Sequence, residues 1–212
     1  MMNLISARYA IETKERESGE PIQIIPGEFR TYYVYEDPAV PPMGFTYNTY
    51  MTESDFLATI EADRAVLMLK TLVIPDDMED EVSEYLRPYD EFVDGPALKE
   101  YISDISRDHL AECAYDIRQT TDSYEVSIDA DAAKYAFFSI PDDSGWRAYV
   151  DGEETAIVDV NGFMAVRIHE GTNRIRFAYT VPGLLPGVVL SAAGILLIAA
   201  YLVMAKKMKK SA

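Results

Sequence analysis

From Leu184 to Ala205 the chain reads LLPGVVLSAAGILLIAAYLVMA, without a charged residue. As a helix, a run of about 22 residues extends for roughly 33 Å, enough to cross a hydrocarbon core of about 30 Å. Pro182 and Pro186 stand at its entry, where a missing N–H costs little. Tyr201 lies near its far end, where aromatic rings favour the interface. Lys206, Lys207, Lys209 and Lys210 follow. A core helix of a soluble protein is the competing reading, but the uncharged run exceeds the length of about 18 residues at which a membrane span is the better account. The sequence thus predicts a transmembrane helix over 183–205 and a basic tail over 206–212.

The lysines set an orientation. Basic flanks stay in the cytoplasm, which puts the C-terminus inside and residues 1–182 outside. All 36 acidic residues precede Pro182, together with all but four of the 19 Lys and Arg. The whole chain carries −17 at a pI near 4.4, a balance that argues against nucleic acid as a partner, because phosphate backbones call for clustered Lys and Arg. The opening MMNLISARYAIETKERE has neither a basic n-region nor a long apolar h-region, so it does not read as a signal peptide. The expectation is a C-terminal piece of a longer multi-pass protein whose upstream spans deliver the acidic part outside. A tail-anchored protein with a cytoplasmic domain is the rival, and it requires four lysines to cross the membrane.

Two-residue periodicity dominates from residue 112 onward. Cys113, Tyr115 and Ile117 alternate with Glu112, Asp116 and Arg118, and Tyr124, Val126 and Ile128 alternate with Glu125, Ser127 and Asp129. That period marks strands with one buried face. Lys134–Ile140 is apolar on both faces, as a central strand is. Asp151-Gly152 and Asn161-Gly162 suit tight hairpins that demand positive φ. Ile175, Phe177 and Tyr179 face opposite to Arg174 and Arg176. These strands predict an antiparallel β-sandwich over 112–182. Residues 1–111 are mixed: strands at Leu4–Ile11 and Thr31–Tyr35 around a polar loop, a helix capped by Thr52, helical patterning through Val66–Leu69, an extended Leu72–Ile74, and a helix opened by Pro96. The fold class is α+β.

Chemistry-bearing motifs are sparse. Cys113 is the lone cysteine, and His109 and His169 match no metal pattern. No phosphate-binding glycine loop and no nucleophile elbow occurs, so no catalytic residue, metal ligand or cofactor is assigned. Between Asp76 and Asp94 acids crowd around a single base, Arg87, and read as a solvated, weakly ordered face without the spacing of a calcium loop. Trp146 shares a strand face with Ala148 and Val150 and is expected to plug the core, just after Gly145. Tyr149, on the opposite face, is the candidate for stacking on a sugar ring.

Three segments together resemble the C-terminal region of YfhO-type bacterial membrane proteins. They are Asn3–Ile11, Tyr32–Tyr50 and Phe137–Tyr179, the last carrying Pro141, Gly145-Trp146, Asp151-Gly152, Asn161-Gly162, Gly171 and Tyr179 in the family's order. The resemblance implies a long multi-pass protein similar to lipid-linked-sugar glycosyltransferases and associated with glycosylation of cell-envelope polymers such as lipoteichoic acid. It implies a catalytic part upstream of these residues, so it transfers no catalytic residue here. The partners implied are the lipid bilayer, other spans of the same parent protein and envelope glycan. The reading from another class is a non-catalytic, membrane-anchored β-sandwich module that binds envelope glycan or a partner protein.

Overall fold

The computed structural model describes residues 6–17, 19–38, 40–90 and 108–211. The helix expected from Pro96 lies outside them. Two compact units are present: one holds residues up to 142 with 147–178, the other 143–146 with 179–212.

The first unit begins with a three-stranded antiparallel sheet of β1 (Tyr9–Glu12), β2 (Gln23–Pro26) and β3 (Thr31–Glu36), in the order β1-β3-β2. The sequence predicts a polar loop between the strands at Leu4–Ile11 and Thr31–Tyr35, and β2 lies within it. Its two isoleucines are too few to show a period, and the strand is defined by a turn in which the Gly27 N–H donates to the Arg30 carbonyl at 3.0 Å. The chain then enters β4 (Phe45–Thr46) and β5 (Thr49–Thr52). Thr52 caps α1 (Glu53–Ala58) by accepting the Asp55 N–H at 3.2 Å, as its place before an acidic first turn predicts. α2 (Glu61–Lys70) follows and leads into β6 (Leu72–Ile74), which pairs parallel to β5. This is a strand–helix–strand crossover.

The acidic stretch is more ordered than the sequence indicated. It forms a 3-10 turn at Asp76–Met78, then α3 (Glu79–Val82), then β7 (Arg87–Pro88), which also pairs with β5. The described acids, from Asp76 to Asp90, remain exposed, but Val82 and Leu86 are buried. Two apolar side chains at that spacing are enough to fix the segment to the core.

Two larger antiparallel sheets follow. One has the order β13 (Val158–Val160), β14 (Phe163–Ile168), β10 (Lys134–Pro141), β4. The other has the order β12 (Glu153–Thr155), β11 (Trp146–Val150), β15 (Gly171–Tyr179), β9 (Ser123–Ala130), β8 (Tyr115–Gln119). Both faces of β10 are covered. Tyr135 and Phe137 join Phe45, Tyr50, Val66, Leu69 and Leu72 in one cluster. Phe138 turns the other way and meets Phe177 of the five-stranded sheet at 4.7 Å between ring centroids. The four-stranded sheet is thus a middle layer, with helices and the small parallel sheet on one side and the five-stranded sheet on the other.

His109 joins the first layer to the second. Its ring lies 4.2 Å from that of Phe45, with Nε2 at 2.6 Å from the Leu69 carbonyl and Nδ1 at 3.1 Å from the Thr46 carbonyl. The second unit is built around α4 (Leu184–Ser211), whose apolar side chains from Leu184 to Leu202 are exposed; this stretch is long and apolar enough to cross a membrane.

Glycines separate two kinds of backbone demand. Gly162, at φ +84°, has open space where a Cβ would be. Gly44, at φ +116°, would place a Cβ 2.7 Å from the Phe138 ring and 3.0 Å from Ala114. Gly162→Ala is therefore expected to cost about 1–2 kcal/mol, from left-handed backbone alone. Gly44→Ala is expected to cost more, because the core must also give way. Thermal melts should rank wild type above Gly162→Ala above Gly44→Ala; the reverse order of the variants would contradict the close approach at Gly44.

Candidate functional site

The five-stranded sheet divides its side chains by strand period. On β15, Asn173, Ile175 and Phe177 are buried, while Thr172, Arg174 and Arg176 face outward; on β9, Val126 and Ile128 are buried while Asp129 is exposed and Glu125 and Ser127 are half-buried. Register then sets the neighbours across the outer face. Arg176 stands opposite Glu125, Arg174 opposite Ser127 and Thr172 opposite Asp129. β8 adds Arg118 opposite Glu125 and Tyr115 opposite Ser127, with a bulge between them at Asp116, whose φ is +50°. Of these, Arg118, Glu125, Thr172, Arg174 and Arg176 line an open groove of about 930 Å³ together with Tyr149 of β11.

Some groups in the groove are committed to one another. Arg176 Nε lies 3.4 Å from Glu125 Oε1, and its guanidinium sits 5.5 Å from the centroid of the Tyr149 ring. The cation is thereby held from two sides, with donors left over. Asp129 Oδ1 accepts from the Tyr115 hydroxyl at 3.0 Å and from Thr172 Oγ1 at 2.6 Å. Asp151 Oδ1 accepts the Arg174 N–H at 3.0 Å, and Oδ2 lies 2.7 Å from His169 Nε2. Burial works to raise the Asp151 carboxyl, but the Arg174 N–H and His169 outweigh it and hold the group below the usual carboxylate range. Among the described residues, the guanidinium groups of Arg174 and Arg118 make no hydrogen bond or ion pair. Two guanidinium groups without a hydrogen bond or close ion pair among the described residues, Arg174 also acting on Asp151 through its charge, share the groove with an aromatic ring and can take a hydroxyl-rich ligand that carries an anionic group.

Of the residues singled out from sequence, Tyr149 lies in this groove, and Asp151 and Gly152 close one end of it. Asp151 and Gly152 take φ +52° and +88°, and Asn161 and Gly162 take +59° and +84°, the pair of positive angles that a tight hairpin needs. Gly145 and Trp146 belong to the second unit. Trp146 is half-buried and packs on Tyr179 at 4.9 Å, whereas Ala148, two residues on, is fully buried. Trp146 is thus not enclosed as Ala148 is; it stands at the first position of its strand. Sequence reasoning passed over Arg118, Arg174 and Arg176. The alternation around Ile175 had already put Arg174 and Arg176 on the outer face, but what gathers them with Tyr149 is cross-strand register. Among the described residues, no group of three or more His, Cys, Asp or Glu is arranged to hold a metal.

Residues 93–191 match the model of a protein family described as "Bacterial membrane protein YfhO". The matched stretch takes in the five-stranded sheet and the first part of α4. No curated protein and no solved structure matches the chain. The match covers less than half of the chain: residues 93–191 are similar to a YfhO-type region, and α4 is long and apolar enough to cross a membrane.

The two histidines are perturbed in opposite directions. Burial pushes His109 below the ordinary imidazole value, against the pull of the Leu69 and Thr46 carbonyls. The Glu170 carbonyl, then Asp151, push the exposed His169 above it. The His109 contribution to stability is thus complete above about pH 6.5 and is lost as pH falls from there through the folded value; that of His169 is complete below about 6.5 and is lost as pH rises through the folded value. Proton NMR of the imidazoles should show one titrating below and one above the ordinary value, and His169→Gln should remove the higher. Two rings titrating together at the ordinary value would contradict both environments.

Proposed function

We propose, for the bacterial membrane protein that contains this YfhO-type region, that residues 1–182 form its external C-terminal domain, anchored by the last span with the basic tail in the cytoplasm. The protein acts in glycosylation of cell-envelope polymers such as lipoteichoic acid. Catalysis belongs to a part upstream of these residues, and the domain engages the polymer. The observation that carries this reading is the pairing of a YfhO-type region with an uncharged span ended by four lysines.

The groove supplies the contact. Tyr149 offers an aromatic surface to a sugar ring. Arg174 and Arg118 meet phosphate or carboxylate on the same chain, and Asp116 and Asp151 accept from hydroxyls. The three arginines of the groove are matched by Asp116, Glu125 and Asp151, so an anionic group is met locally, at Arg174 and Arg118, and not by a net positive field. A stand-alone binding module would use the groove in the same way; the two readings differ in whether apolar spans are encoded in frame upstream of Met1.

Sidedness tests the arrangement. With Cys113→Ser as background, a cysteine introduced at Asp80 is expected to react with a membrane-impermeant maleimide on intact cells. A reporter joined after Ala212 is expected to be active only in the cytoplasm. Labelling at Asp80 only after lysis would overturn the external placement.

A further inference from the structure

The second unit brings together the sole tryptophan of the chain and the start of its membrane span. Trp146 closes a tight turn that begins at Asp143. The Asp143 carbonyl accepts the Trp146 N–H at 3.0 Å, and its carboxylate accepts the Gly145 N–H at 2.8 Å. The turn is fastened to the end of β15, where the Thr180 N–H donates to the Gly145 carbonyl at 2.9 Å. Gly145 is required by closeness rather than by φ: a Cβ there would lie 2.6 Å from the Thr180 carbonyl oxygen and 2.6 Å from the Tyr179 ring. With no side chain in the way, the Trp146 and Tyr179 rings meet at 4.9 Å, tilted by 59°. The Asp143 carboxylate of the same turn pushes the Tyr179 phenol above its ordinary value. Both rings are half-buried.

Only Thr180 to Gly183 separate Tyr179 from the first residue of α4. Four residues reach at most about 14 Å when extended, and here they are bent. Gly183 takes φ +79°, and the Leu184 N–H donates to the Val181 carbonyl at 3.2 Å. The headgroup layer on each side of a bilayer is on the order of 5–8 Å thick. Apolar Val181 and Leu185 are exposed on the approach.

We propose that Trp146 and Tyr179 form a paired aromatic anchor that seats in the headgroup layer of the bilayer at the amino end of the span. Tyrosine and tryptophan favour that layer because each has an apolar ring and a polar edge, and the layer offers both environments. The turn supplies what a lone aromatic lacks. It places a residue more than thirty positions earlier in the chain beside the one that enters the membrane, and Gly145 permits the contact. The pair fixes the depth at which α4 enters, which an apolar run slightly longer than the hydrocarbon core leaves free to slide. The inference holds whichever side of the membrane the domain occupies, so it stands apart from the proposed function.

A single tryptophan makes the test direct. The full chain is reconstituted in phosphatidylcholine–phosphatidylglycerol vesicles, and its emission is recorded with lipids brominated high or low on the acyl chain, or with aqueous iodide. The expected result is loss of emission with brominated lipid, greater for the shallow bromines than for the deep ones, and little loss with iodide. Strong quenching by iodide alone would put Trp146 in water and overturn the anchor. Insensitivity to both quenchers would put it inside protein and overturn it equally. Because the measurement uses the unaltered chain, no misfolded variant can mimic either outcome.

Discussion

The structure of the first unit depends on one strand being buried on both faces. β10 has no solvent side along Lys134–Phe138, so each neighbouring layer is held against the same backbone. Its one charge in that stretch shows how strict the arrangement is. Lys134 Nζ is satisfied by Glu112 Oε2 at 2.9 Å and by Asn48 Oδ1 at 3.0 Å, with Asp131 alongside. Glu112 also accepts from the Thr46 hydroxyl and the Asp131 N–H. A buried cation stripped of its partner costs several kcal/mol, so this network ties β4, the residues before β8 and the turn into β10 to one geometry. Burial alone would lower the Lys134 pKa, but the carboxylates more than offset it and hold it above the ordinary value.

That arrangement leaves the outer face of the five-stranded sheet available. Its inner residues, among them Ile128, Ile175 and Phe177, are spent on the core. Its outer residues need only remain soluble, and here they gather Arg118, Arg174 and Arg176 beside Tyr149 in a chain of net charge −17. Exposed ion pairs such as Arg176–Glu125 add little stability. They do limit where the cation points, which matters more for a ligand than for folding.

Sequence alone revealed much of this, and the reasons are local ones. The unbroken apolar run of β10 marked a central strand, the Thr52 cap marked the start of α1, and the Asp-Gly and Asn-Gly pairs marked turns. The elements that escaped are those defined by partners distant in the chain. Phe45–Thr46 is too short to show a period and is a strand only because it pairs with Phe137 and Ala136. Val82 and Leu86 were hidden among acids. Trp146 shares the period of Ala148, but period gives a face and not a depth, and at the first position of a strand the two part company. The groove was half legible: alternation gave the face of Tyr149, Arg174 and Arg176, and register, which no local pattern carries, gave their proximity.

The claim that this face engages an envelope polymer is tested most directly by titrating the full chain, held in nanodiscs, with purified lipoteichoic acid. Wild type is compared with Arg174→Gln and Tyr149→Ala. All three proteins should melt together, since these side chains lie on the outer face of the sheet. The account predicts binding that weakens with salt, as Arg–phosphate contacts do, and that falls several-fold in each variant. Equal affinity in all three proteins, at any salt concentration, would contradict it.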